Sequence, residues 1–398
     1  MQRFKAIMSR GLGPCGLVGV ALLSVAPALA QSGQPAMFSH EEVCRRKFQE
    51  GVQYKNNQQL SQAEQSFVEV KEACPEMIDA YLHLGEAQVR LRKYLEAIDT
   101  YRDALDRDPG NLDVKEALAF ALSSAGELED ALDLYIELNR ERPGKPEILK
   151  NLAFVYQREG RVAEAIMLYN LLVEMDQADP RTVSEAGRLA LDHKLFLPAV
   201  TFYKKLYEFD PRNTSTLHIL AGYYFQIKFH KEAARYYDEL LALPIEEGAE
   251  LNYRKYRGYC RNRMGDYLGA AEDYRYLIEK EPDDISHLCN LAFALRDGGR
   301  LDESLVAVRG GLVKHPDAGC LHYAWGVVLS AQGDDLARQK RFEEAIARYQ
   351  DAKGKFQRVV DLRDSLYGKS AGDQVSRMDQ QVDRVAKMAE KEKLSSRP

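Results

Sequence analysis

Residues 78–111 read IDAYLHLGEAQVRLRKYLEAIDTYRDALDRDPGN, and this stretch of 34 residues decides the fold. Tyr81, Leu84, Gly85 and Val89 share one face of a helix, because small and apolar residues recur there at spacings of three and four. A break follows at Arg92-Lys93, after which Ala97, Tyr101 and Ala104 mark the face of a second helix. Asp108-Pro109-Gly110-Asn111 closes the stretch, since proline cannot continue a helix and Gly-Asn permits a turn. The product is two antiparallel amphipathic helices. Gly85 and Ala97 let the backbones approach, and Tyr101 fills the space against the next pair. Each pair keeps an apolar side that only a neighbour can bury.

The same unit recurs along the chain. Pro75, Pro109 and Pro143 are 34 residues apart, and Pro211 falls 68 further on. A small residue stands at Gly51, Gly85, Ala119, Ala153, Gly187, Ala221, Gly258, Ala292 and Gly326. Alanine follows in the second helix at Ala63, Ala97, Ala131, Ala165, Ala199, Ala233, Ala270 and Ala345, with Ser304 in the eighth unit. The aromatic comes next at Phe67, Tyr101, Tyr135, Tyr169, Tyr203, Tyr237, Tyr274 and Tyr349. On these positions the chain resembles the tetratricopeptide repeat (TPR) family, from residue 44 to about 352. The resemblance implies an all-α, right-handed superhelical solenoid of about nine helical hairpins.

Departures from the pattern locate irregularities. Pro244 comes one residue early, and Ile245-Glu246-Glu247-Gly248 adds about three residues before unit seven. Unit eight carries Val308 and Gly311 where the aromatic and a small alanine are expected, so it should pack loosely. Unit nine holds seven extra residues between Leu329 and Ala345, enough for two helical turns or a protruding loop. The expected organisation is a signal segment (1–30), a linker (31–40), the solenoid (41–365), a linker (366–372), a capping helix (373–393) and a tail (394–398). The cap is read from Val375, Met378, Val382, Val385 and Met388 at helical spacing, after the break expected at Gly368–Gly372.

The formal net charge is −6, and removing residues 1–30 with Arg3, Lys5 and Arg10 leaves −9. No basic stripe survives to neutralise phosphates, so nucleic acid is excluded as the expected partner. Residues 1–30 themselves read as a secretory signal: a positive start, the apolar run Leu17–Val25, and Ala28-Leu29-Ala30 as a cleavage pattern. A periplasmic or secreted location without a membrane span is therefore expected, with a retained membrane tether as the alternative. Five cysteines follow that segment. Cys44 and Cys74 bracket the first hairpin, where a disulfide is geometrically reasonable. Cys289 and Cys320 are a second, weaker pair.

No nucleophile, base and orienting residue assemble at a telling spacing, and the eight histidines form no ligand motif. Neither catalysis, a cofactor nor a metal is expected. The resemblance implies instead that the first helices line a concave groove for a protein or peptide partner. The groove residues it selects are Phe120, Phe154, Tyr259 and Phe293, with Arg158, Arg188, Arg263 and Arg296 beside them. Aromatic anchors with arginine neighbours suit a peptide bearing apolar and acidic groups. The alternatives are that these aromatics are partly core, or that they stack on sugar rings. Tyr253, Tyr256 and Tyr267 fall outside the repeat positions and are expected to mark a second contact area.

Overall fold

A computed structural model describes residues 39–395; the expected signal segment and most of the linker behind it lie outside the described residues. The described residues form nineteen α-helices and no strand. Contacts group them into two units that divide at Pro109 and Gly110, within a turn that the sequence reading had placed inside one continuous solenoid.

The first unit holds α1 (His40–Asn56), α2 (Leu60–Ala73), α3 (Ile78–Arg90) and α4 (Tyr94–Arg107), each packed on the next. Ser39 opens it with a capping box: Glu42 N donates to Ser39 Oγ at 3.2 Å, and Ser39 N donates to Glu42 Oε2 at 2.8 Å. The second unit begins with α5 (Leu112–Ala125), α6 (Leu128–Glu141), α7 (Pro146–Arg158), α8 (Val162–Glu174), α9 (Pro180–Asp192) and α10 (Phe196–Phe209). It continues with α11 (Thr214–Gln226), α12 (His230–Leu241), α13 (Glu247–Met264), α14 (Tyr267–Lys280), α15 (Ile285–Asp297) and α16 (Leu301–Lys314). The last three are α17 (Gly319–Arg338), α18 (Phe342–Asp361) and α19 (Gly368–Ser395). Within this unit too, every helix packs on its successor.

The turn inside every hairpin uses one left-handed residue. These are Gln58, Arg92, Gly126, Gly160, Lys194, Lys228, Gly265, Gly299 and Lys340. They are 34 apart except for 37 between Lys228 and Gly265 and 41 between Gly299 and Lys340, so the backbone itself records both insertions. The three extra residues lengthen α13, which runs for 18 residues.

Small residues seat aromatics. A Cβ on Gly51 would lie 2.7 Å from Phe67, one on Gly258 would lie 3.2 Å from Tyr274, and one on Gly85 would overlap the Tyr101 ring. These rings are buried, so each close approach is filled and not left as a void.

Unit nine corrects the sequence reading. Gly333 seats Tyr349, with the same 16-residue separation as Gly85 and Tyr101, and Gly326 seats Phe356. The seven extra residues therefore lie before Gly333, and they form helix instead of a loop. Both α17 and α18 run for 20 residues, with two glycine–aromatic seats stacked between them. The expected break at Gly368–Gly372 is also corrected, because α19 begins at Gly368. Asp364 Oδ1 accepts from Leu366 N and Tyr367 N and turns the chain earlier, and Ala371 is buried in the last core. That core also takes Met378 and Val385 from α19 and Phe356 and Val359 from α18.

Candidate interaction face

Phe120, Phe154, Arg188, Gly222, Tyr259 and Phe293 come from α5, α7, α9, α11, α13 and α15, the first helices of successive hairpins. In each case the residue one position before is buried: Ala119, Ala153, Gly187, Ala221, Gly258 and Ala292 seat the hairpin, and the helix then turns the next side chain away from that contact. Phe120, Phe154 and Tyr259 are 45%, 40% and 46% exposed, which is high for large apolar rings. Phe293 is half-buried. Phe120, Phe154 and Tyr259 are thus partly packed and partly presented to solvent.

The arginines divide into two kinds. Arg158 lies over the Phe154 ring at 5.8 Å and Arg296 over the Phe293 ring at 5.4 Å. Arg296 is also paired with Asp297 at 2.6 Å, which partly satisfies its charge. Arg158, Arg188 and Arg263 are exposed and make no ion pair among the described residues. Three guanidinium groups without an ion-pair partner among the described residues thus share one set of helices with three exposed rings.

The ring partners differ from the sequence expectation. Tyr259 meets Phe225 at 5.5 Å and His230 at 5.7 Å, while Phe293 meets Tyr323 at 6.4 Å. Phe225 in turn meets Tyr256 edge-on at 5.0 Å, and Tyr256 stacks on buried Tyr237. Phe225, Tyr256 and Tyr259 therefore form one aromatic platform on α11 and α13. Sequence reading selected Tyr256 as irregular but missed Phe225, which stands at the repeat position of Arg296 in a unit whose groove position is the featureless Gly222. Burial, reinforced by the positive charges of Arg263 and Lys228, holds the His230 pKa below its ordinary value, so the imidazole beside Tyr259 is neutral at pH 7.

A buried ionic cluster fixes α13 to its neighbours. Asp273 is fully buried, and Arg257 donates to its two carboxylate oxygens at 2.5 and 3.0 Å. Arg261 reaches Asp273 at 3.4 Å, and both arginines also bond Asp238 of α12. Burial lowers the Arg257 pKa, but Asp273 and Asp238 outweigh it and hold the guanidinium above its ordinary value. The cluster locks the helix that carries Tyr256, Tyr259 and Arg263.

Two groups of possible metal ligands occur among the described residues. In the first, Cys44 and Cys74 are joined in a disulfide with Cα atoms 6.4 Å apart, which uses their sulfurs. In the second, His287 Nε2 lies 2.8 Å from Glu281 and 3.4 Å from Asp284, a local hydrogen-bonded arrangement at the start of α15. Cys289 and Cys320 are also bonded, with Cα atoms 6.0 Å apart, and Cys260 is free and buried.

Profiles of the tetratricopeptide repeat family match residues 49–111, 89–142 and 124–183. A TPR repeat-containing protein of Methanocaldococcus jannaschii is 35% identical over 78 residues, covering 20% of this chain and 13% of that protein. The match thus spans only about an eighth of the curated relative's length. Among solved structures, a tetratricopeptide repeat protein from Parabacteroides merdae is 19% identical, covering 63% of this chain and 98% of that one with a TM-score of 0.39. The pilF protein of Pseudomonas aeruginosa is 20% identical, covering 56% of this chain and 100% of that one with a TM-score of 0.41. With its helical hairpins, its seated aromatics and its matched repeats, the chain is a tetratricopeptide repeat protein.

Proposed function

We propose that this protein is a non-enzymatic scaffold that holds a protein or peptide partner along the first-helix face of its second unit. The reading is carried by exposed Phe120, Phe154 and Tyr259 on the same helices as Arg158, Arg188 and Arg263, which make no ion pair among the described residues. Rings on a rigid helical face bind with little ordering cost, and unpaired arginines select acidic groups on the ligand. Phe293 and Arg296 extend the face toward α17. The setting we favour is an exported one, periplasmic or secreted, in which the scaffold helps assemble an envelope, secretion or polysaccharide-export complex. The leader-like residues 1–30 and two disulfides support export.

Photo-crosslinking in cells from positions 154 and 259 tests the reading and should trap a discrete protein. The double variant F120A/F154A should weaken binding of that protein by about tenfold or more while leaving the melting temperature nearly unchanged. Lost stability with retained binding would assign the rings to the core.

The platform of Phe225, Tyr256 and Tyr259 favours a second reading, in which sugar rings stack on the exposed tyrosines. Quenching of tyrosine fluorescence by envelope polysaccharide fragments, without protein capture, would select it. A third reading, a membrane-tethered assembly factor, requires residues 1–30 to be retained; intact mass of the mature chain decides it.

A further inference from the structure

His40, Cys44 and Cys74 bring an imidazole and two sulfurs together in the first hairpin, with their ligand atoms all within 4.8 Å of one another. Two of them come from one helix. His40 and Cys44 are four residues apart, so they share a face of the first turns of α1, which the Ser39 capping box holds. Cys74 stands at the C-cap of α2, and the antiparallel hairpin brings that end beside the start of α1. No C-x-x-C spacing announces the group, because its members meet across a hairpin and not along the chain. With the Cys44–Cys74 bond closed the sulfurs are spent, and His40 Nε2 donates to Ala73 O at 2.9 Å.

We propose that opening this bond creates a site for one zinc ion. Sulfur and imidazole nitrogen are the ligands zinc takes, at about 2.3 and 2.0 Å, which sets them about 3.5 Å apart in a tetrahedron. His40 Nε2 already stands 3.7 Å from Cys74 Sγ. Two thiolates cancel the charge of a divalent ion, which suits a site where Cys44 is only 2% exposed. The His40 ring is exposed, so water carries its proton to Nδ1 and frees the Nε2 lone pair for the ion. Ala73 is exposed too, and its carbonyl passes to solvent. Water fills the fourth position.

Opening requires a dithiol reductant. One of its thiolates attacks Cys74 Sγ, the less buried sulfur, and the S–S bond breaks with its electron pair leaving on Cys44. The second thiol of the reductant then displaces Cys74 and closes the reductant's own disulfide, so the reductant loses two electrons and both cysteines become thiols. Zinc binding releases their two protons. Oxidation of the thiolates to the disulfide ejects the ion. Bond and ion thus clasp the same two helix ends in alternation.

Titration of the metal-free full chain with Co2+, a spectroscopic stand-in for zinc, tests this after reduction by a phosphine, which supplies no competing thiolate. One equivalent should bring the visible bands of tetrahedral, thiolate-bound cobalt, and added Zn2+ should bleach them. The oxidised chain should show no such bands. C289S/C320S should bind as well as the unaltered chain, and C44S/C74S should lose the bands. H40A keeps both thiols and alters only an exposed side chain; it should weaken binding by more than the tenfold or so that loss of an outer partner costs. Zinc should also raise the melting temperature of the reduced chain. A reduced chain that binds no cobalt, bands that survive C44S/C74S, or affinity indifferent to H40A overturns the proposal.

Discussion

Two helical glycines with opposite surroundings show how local the packing constraint is. Gly85 has the Tyr101 ring where a Cβ would go, and that ring is buried and unable to withdraw. Gly222 faces open space. Gly85→Ala should therefore cost about 1–3 kcal/mol through overpacking, whereas Gly222→Ala should stabilise by up to about 1 kcal/mol through helix propensity. Chemical denaturation of the two variants checks both signs. Asp179 gives a pH-dependent counterpart at the start of α9. Burial raises its pKa, but the hydrogen bonds from Lys150 and from Thr182 win and bring it down to about 2. A carboxylate depressed in this way contributes stability above its unfolded pKa, and the contribution fades as pH falls from about 4 toward 2. Carboxyl-carbon NMR should report that low value, and Lys150→Ala should move it back up toward the ordinary carboxylate range.

At the scale of the helix pair, much was legible before any coordinates. The spacing of Gly85, Ala97 and Tyr101 is a direct consequence of which side chains meet, so a periodic pattern had to appear wherever a hairpin was repeated. The turns were harder to read. Gly126, Gly160, Gly265 and Gly299 announce their left-handed backbone, but Gln58, Arg92, Lys194, Lys228 and Lys340 adopt it without any compositional signal. The extended hairpin was misregistered for a related reason: Gly326 and Gly333 are both legitimate seats, and only the ring opposite each tells them apart. The ionic cluster on α13 was invisible as well, because Asp238, Arg257, Arg261 and Asp273 come from three helices with no shared spacing. It has a measurable role. Asp273→Ala strands Arg257 and Arg261 without their buried partner and should destabilise by about 3–5 kcal/mol. A native-state hydrogen-exchange measurement should show that loss concentrated in α12, α13 and α14.

For the whole molecule, additive stability is the governing property, because each hairpin in such an array contacts mainly its neighbours. The Cys44–Cys74 bond ties the ends of the first hairpin across 30 residues, and removing it should cost about 3–4 kcal/mol in the chain-entropy account. Alkylation followed by mass analysis of the natively isolated protein should find both disulfides closed. Cys260 should stay unmodified until the protein unfolds, since burial pushes its thiol up to about 12. The candidate interaction face was legible in outline, as the position after each small residue, whereas its actual neighbours depended on ring orientations that no linear pattern encodes. One consequence reaches past this chain. Seven residues advance a helix by two revolutions less about 20°, so the longer ninth hairpin kept its angular phase and simply gained a storey. Between two seats on one helix a block of three or four would have swung the second seat by about 60° or 40° from its ring, whereas the three residues added to α13 precede its Gly258 seat and leave Tyr274 in place. Length variants of this hairpin in related genomes should accordingly come in whole sevens.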